Sequence, residues 1–196
     1  MQQEIVLGIG GTRAIYAMGF EPSVFHINEG HAAFALLERA RYYMTKYGLD
    51  FYTAIQIVKS SSVFTTHTPV PAGNESFKFD RMETYLGKYY QNFGLNKEQF
   101  YNLGQVGYFN QDEGFSMTIL GLRLTGSHNG VSKLHGAVAR DMWHELWRDL
   151  PTDEVPIGHI TNGIHTKTWI AREIAELFDR YLSPRWQTET DDPNVW

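Results

Sequence analysis

The chain has 196 residues, enough for one domain or for one domain and part of a second. Its 22 acidic and 17 basic side chains leave a net charge of −5, and no run of Lys or Arg appears, which argues against a nucleic-acid partner. The absence of cysteine excludes disulfides and thiolate metal sites, and no basic leader or long apolar run suggests secretion or a membrane span; a cytoplasmic protein is expected.

Gly8-Ile-Gly10-Gly11 lacks the third glycine and the preceding strand of a dinucleotide fingerprint, so close helix packing or a turn is the better reading. Residues 24–28 read as a short buried strand, and Ala32 to Tyr47 as a helix with Phe34, Leu37, Ala40, Arg41 and Met44 at helical spacing. Asp50 is a plausible N-cap for a second helix to Lys59. Ser62 to Thr66 is β-branched and aromatic and reads as a strand. It runs into a loop, His67 to Gly73, that two prolines and a glycine make rigid. Helical patterns return near Asp80–Asn92, Met117–Leu124 and Val131–Trp147, and a strand is expected from Ile157 to Thr161. Asn162-Gly163 then marks a turn, Thr168 to Leu182 a last helix, and the acidic tail Glu189-Thr-Asp191-Asp192 a solvated surface. Alternating strands and helices predict an α/β layered sheet with parallel strands.

The polar clusters recur at one kind of place. Glu29-Gly30-His31, His67-Thr68-Pro69, Ser127-His128-Asn129-Gly130 and Thr161-Asn162-Gly163 each follow a strand-like stretch. In open α/β sheets ligands bind at the carboxyl ends of strands, so four such loops suggest one site for a neutral, polyhydroxylated ligand. Each residue also has a plainer explanation. His26, Glu29 and His31 do not have the spacing of helical zinc motifs; Glu29 and His31 are expected to hydrogen-bond at a helix start, where the helix dipole favours the Glu29 carboxylate. His67 could be a satisfied core histidine, but Pro69 stiffens the corner beside it and favours contact with a ligand. Asn129 and Asn162 each precede Gly, where turn chemistry alone would account for them.

Four segments, His26-Ile-Asn-Glu-Gly-His31, Thr65-Thr-His-Thr-Pro-Val-Pro-Ala-Gly73, Asn129-Gly-Val-Ser-Lys-Leu-His135 and Thr161-Asn-Gly-Ile-His-Thr166, resemble the α-glucan phosphorylases, the glycogen and maltodextrin enzymes, in order and separation. The form is similar to the shorter bacterial and archaeal type. The resemblance runs from about Gln3 to the last residue; at Asn74-Glu75 the family often has His-Asp.

This resemblance implies a Rossmann-like parallel sheet with flanking helices, part of the N-terminal domain of a two-domain, glycosyltransferase-B-like fold. Residues 1–160 would be the later part of that glucan-binding domain, and 161–196 the crossover and start of the C-terminal domain. The implied reaction is reversible phosphorolysis of α-1,4-glucans or maltodextrins to glucose 1-phosphate. By the same resemblance His67 is the catalytic-site histidine that hydrogen-bonds the 6-hydroxyl of the reacting glucose. Asn162 contacts that hydroxyl, Val131 lines the pocket, and Asn28, Glu29, His31 and Thr68 lie near the acceptor sugar. The cofactor of the parent enzyme is pyridoxal phosphate, yet none of the seven lysines here matches the family's Schiff-base lysine, so no cofactor is expected on this chain, and the histidine spacing leaves no metal expected either. The parent is expected to be a homodimer and the chain alone inactive. Two other readings are a stand-alone glucan-binding module and a histidine-dependent metal hydrolase.

Overall fold

The computed structural model describes residues 1–70, 73–189 and 192–195. Pro71 and Ala72 of the expected rigid loop, and Thr190 and Asp191 of the acidic tail, lie outside the described residues. The chain divides into two compact units, Met1–Thr161 and Asn162–Trp196.

The first unit opens with α1 (Gln2–Glu4), a wide π-helical turn (Ile5–Gly10) and α2 (Gly11–Ala17) in unbroken succession. A Cβ on Gly8 would stand 2.9 Å from both the Phe34 Cβ and the Ala35 nitrogen, so this glycine lets the helical run touch the start of α3 (Phe34–Tyr47). Between them lie β1 (Phe25–Asn28) and a 3₁₀ turn (Gly30–Ala32). Gly48, at φ 67°, ends α3 in the left-handed conformation that glycine adopts without strain. Asp50 caps α4 (Phe51–Ser60), accepting from the Thr53 N–H at 3.0 Å and the Thr53 hydroxyl at 2.6 Å.

After β2 (Ser62–Thr66), a two-residue strand β3 (Ser76–Phe77) pairs antiparallel with β4 (Phe115–Ser116). Between these lie α5 (Phe79–Leu86), a 3₁₀ turn (Tyr89–Phe93) and α6 (Lys97–Tyr101). The single helix expected over Asp80–Asn92 is thus broken at Gly87-Lys88, where a poor helix former lets the chain tighten. Next come α7 (Met117–Leu124), β5 (Ser127–Gly130), α8 (Lys133–Trp143) with a 3₁₀ extension to Trp147, and β6 (Gly158–His159). The helix expected from Val131 starts later because Ser132, at φ −162°, is its N-cap. The strand expected over Ile157–Thr161 pairs at two residues only.

The four-stranded sheet runs β1-β2-β5-β6, all parallel, and one row aligns Asn28, Thr65, Asn129 and Gly158. Spatial order follows chain order, so right-handed crossovers return each connecting helix to the same face. Ile27, Phe64 and Gly130 point to that face. Phe64 packs on Gly121 of α7, Gly130 on Gly136 of α8, and the Arg39 guanidinium of α3 lies 4.0 Å over the Phe25 ring. By strand alternation the opposite face carries His26, Asn28, Val63, Thr65, Ser127 and Asn129. The expected α/β class with flanking helices is therefore met by a sheet wound in one direction. A Cβ at Gly121 would press into the Phe64 ring, so Gly121→Ala should lower unfolding free energy by about 1–3 kcal/mol in urea titration.

Glu38, 1% exposed on α3, ties the first unit together. Its carboxylate accepts from Arg13 of α2 at 2.8 Å, from Arg41 at 2.8 Å and from the Tyr89 hydroxyl at 2.7 Å. Burial pushes the Glu38 pKa up, but the hydrogen bonds from Arg41, Arg13 and Tyr89 outweigh it and hold the group below the usual glutamate range. The Tyr89 phenol is raised by burial and by donating to that carboxylate.

The second unit holds α9 (Thr166–Trp169), α10 (Arg172–Tyr181) and a 3₁₀ turn (Pro184–Gln187). The helix expected over Thr168–Leu182 is broken by an extended Ala171. Trp186 is its anchor: the ring meets Phe178 edge-on at 5.4 Å, and the indole N–H donates to Asp179 at 2.9 Å.

Candidate functional site

The ends of β1 and β2 are bound to each other by side chains. Glu29, the residue after β1, adopts φ 59° and ψ −176°, a region costly for any residue with a Cβ, by about 1–3 kcal/mol. Its own N–H still donates to the Thr65 carbonyl at 2.9 Å. The twist aims its carboxylate at the next loop, where one oxygen accepts from the His67 N–H, from the Thr68 N–H at 2.8 Å and from the Thr68 hydroxyl at 3.0 Å. The expected role of this carboxylate at a helix start is corrected, since it caps nothing in the Gly30–Ala32 turn. Gly30 is required here for space: a Cβ would lie 2.7 Å from that of Met117.

Asn28 makes the second suture. Its Oδ1 lies 2.6 Å from the Nε2 of His67, so the histidine donates from that nitrogen and keeps an unprotonated Nδ1 when neutral. The imidazole is exposed, fixed at one edge and open at the other. His67 is therefore no core histidine. His31, expected to hydrogen-bond at the helix start, instead stands exposed without a hydrogen bond among the described residues. Glu75, further along the loop, is held above the usual carboxylate range by burial and by the neighbouring Glu4.

A second chain of bonds crosses the polar face of the sheet. The Thr65 hydroxyl donates to Asn129 Oδ1 at 2.9 Å, which leaves its lone pairs for the Nε2 of His26 at 2.7 Å. Both His26 and Asn129 are thereby oriented. Ser127 to Gly130 was expected as a loop following a strand but is the strand β5 itself. Gly130 has no positive φ; it is glycine because a Cβ would stand 2.9 Å from the Gly136 nitrogen. Val131, half-buried, donates its N–H to His135 Nδ1 at 3.2 Å. Asn162 is exposed in the second unit, in a stretch without regular secondary structure rather than the expected turn.

The structure thus brings Asn28, Glu29, His67 and Thr68 into one bonded network, with Thr65 and Asn129 alongside. Thr65 and His135 were missed by sequence reasoning. Thr65 had a visible signal, since strand alternation places it beside Asn28. The network contains no Lys or Arg, and its one carboxylate is spent on three donors, so it suits a neutral polyol and does not fit the phosphate of pyridoxal phosphate. Among the described residues no group of three His, Asp or Glu is placed to hold a metal.

Strand ends of an α/β sheet that present fixed donors and acceptors are a place where ligands bind. The chain matches the family model for carbohydrate phosphorylase over residues 18–193 and belongs to that family. It is 44% identical over 196 residues to a maltodextrin phosphorylase of Thermococcus litoralis, covering all of this chain and 23% of that protein. It is 45% identical over 188 residues to a glycogen phosphorylase of Mycobacterium tuberculosis, covering 90% of this chain and 21% of the relative. A glycogen phosphorylase of Aquifex aeolicus is 33% identical over 196 residues, covering all of this chain and 28% of that protein. The chain thus covers about a quarter of the length of such relatives.

Proposed function

We propose that the chain is the glucose-pocket portion of an α-glucan phosphorylase, which cleaves α-1,4-glucans with phosphate to give glucose 1-phosphate. The observation that carries this reading is the His67 imidazole, gripped by Asn28 at Nε2 and open at Nδ1. That nitrogen accepts a hydrogen bond from the sugar's 6-hydroxyl and fixes the ring for attack, a positioning role. Glu29 and Thr68 hold the loop beside the acceptor sugar, with Asn28 and His31 near it, and Val131 lines the pocket. Phosphate and pyridoxal phosphate belong to the rest of the enzyme, a cytoplasmic homodimer in this reading. The cofactor supplies acid–base chemistry to the substrate phosphate there. The first unit corresponds to the glucan-binding domain and the second to the crossover into the next.

The test is phosphorolysis of maltoheptaose by a full-length enzyme containing this segment, read as glucose 1-phosphate, with the chain alone in parallel. The full enzyme should turn over and the chain should not. His67→Ala should lower kcat about 100-fold with an unchanged melting temperature, as expected when a positioning group is lost. Unchanged phosphorolysis in that variant would remove the assignment.

A further inference from the structure

One buried titratable side chain takes no part in the network above. His135, 8% exposed, stands in the first turn of α8. Ser132 caps that helix: its hydroxyl accepts from the His135 N–H at 3.1 Å and its carbonyl from the Gly136 N–H at 2.8 Å. In a capping box, a Glu or Gln at this third helical position reaches back to the N–H of the cap residue. His135 reaches one residue further, and its Nδ1 accepts from the Val131 N–H at 3.2 Å. An accepting Nδ1 leaves the proton of the neutral ring on Nε2, which is buried without a partner among the described residues.

Two glycines bring this turn against the sheet. A Cβ on Gly130 would stand 2.9 Å from His135 Nδ1, and one on Gly136 would stand 3.0 Å from both the Gly158 oxygen and the His159 Cβ. The end of β5 is itself tied on both sides. Gly130 pairs with Thr66, the residue before His67, and its carbonyl accepts from the Ile160 N–H at 2.9 Å. Val131 follows, after the strand and before the helix, and among the described residues the bond to His135 is the one that its N–H makes. An unpaired, half-buried N–H is costly, so losing that acceptor would favour a turn of the Val131 backbone toward water.

We propose that His135 is a positioning residue of the sugar pocket: through the Val131 N–H it fixes the wall beside the 6-hydroxyl of the reacting glucose. The Thr66–Gly130 pairing holds that wall in register with His67, and the imidazole keeps Val131 from turning away from it. The role rests on the phosphorylase reading above, whereas the hydrogen bond itself does not.

A long-range proton–nitrogen correlation spectrum of the chain tests the bond without a substitution. The His135 ring should be the tautomer protonated at Nε2, and a proton on Nδ1 would overturn the proposal. The role is tested in a full-length enzyme containing this segment, by phosphorolysis of maltoheptaose. His135→Gln makes the ordinary box with the cap N–H, so the fold is kept while Val131 is released. It should lower kcat about tenfold, the net worth of one hydrogen bond, and change KM by no more than about twofold. His135→Asn places an amide oxygen where Nδ1 stands and should recover most of that kcat, because the Nε2 it lacks has no partner among the described residues. In a Val131→Ala background the cost of His135→Gln should shrink to about twofold, since both residues act on one wall. Equal kcat in the Asn and Gln variants, or additive losses with Val131→Ala, would make His135 a packing residue and overturn the proposal. A parent enzyme that forms no glucose 1-phosphate removes the phosphorylase reading and this role with it. An active parent whose His135→Gln variant turns over normally removes the role alone.

Discussion

Glu38→Ala should lower the melting temperature of the chain by about 10 °C, the equivalent of about 3 kcal/mol for a unit of this size. The loss is large because one carboxylate holds three elements: α2 through Arg13, α3 through Arg41 and the 3₁₀ turn through Tyr89. Removing it leaves a buried phenol without an acceptor and two guanidinium groups facing each other. The two arginines are 55% and 31% exposed and reach water in part, so the cost falls at the lower end for a broken buried pair. The same carboxylate has a depressed pKa in the folded state. Its stabilisation is present above the unfolded glutamate value, near 4.3, and is lost as pH falls through the lower folded value. Acid titration of Glu38→Ala should therefore show a shallower loss of stability below about pH 4.3 than the parent chain. An equal slope would mean that other carboxylates govern the acid limb.

Glu29→Gly should lower kcat for phosphorolysis about 100-fold in a full-length enzyme, while leaving the melting temperature nearly unchanged. Two opposing effects explain the split. Glycine occupies φ 59°, ψ −176° without the strain that glutamate bears there, which offsets part of the lost bonding. The backbone of His67 and Thr68 nevertheless loses its shared acceptor, and the loop drifts from its working position. Glu29→Ala keeps the strain and loses the bonds, so it should be less stable than Glu29→Gly. Glu29→Gln retains an accepting oxygen and should recover most of kcat. If Glu29→Gly raised KM for maltoheptaose and spared kcat, the carboxylate would be a direct sugar contact rather than a positioning residue.

The elements most legible in the sequence were those with local causes. Asp50 capping α4 and the β-branched run of β2 stand where composition placed them. The break at Gly87, the two-residue strands β3 and β4, and α6 with its Asn96–Gln99 capping box were not read. Pairings of two residues carry no periodicity, though the Asn96-x-x-Gln99 pattern was there to be seen. At the site, motif and strand-end position singled out Asn28, Glu29, His67 and Thr68, and the structure joins them. What they bond to was hidden, because Glu29 reaches the loop only through a positive φ that glutamate does not advertise. His26 and Asn129 drew attention for a metal and a turn, yet their partner is Thr65, up to 64 residues away in sequence. A glycine before a helix likewise reads as turn chemistry when its cause is the close approach of Gly136.

The monotonic order β1-β2-β5-β6 bears on how the chain is made as well as on what it is. Synthesis runs at about 5–20 residues per second, and domains form from the amino terminus onward. In this sheet β2, β5 and β6 each emerge after the strand that precedes them in the order and dock beside it. Among these four strands none has to be inserted between two others. The nascent sheet grows like a wall laid course by course. On the growing side, the edge left by the last strand laid is the one that the next strand covers.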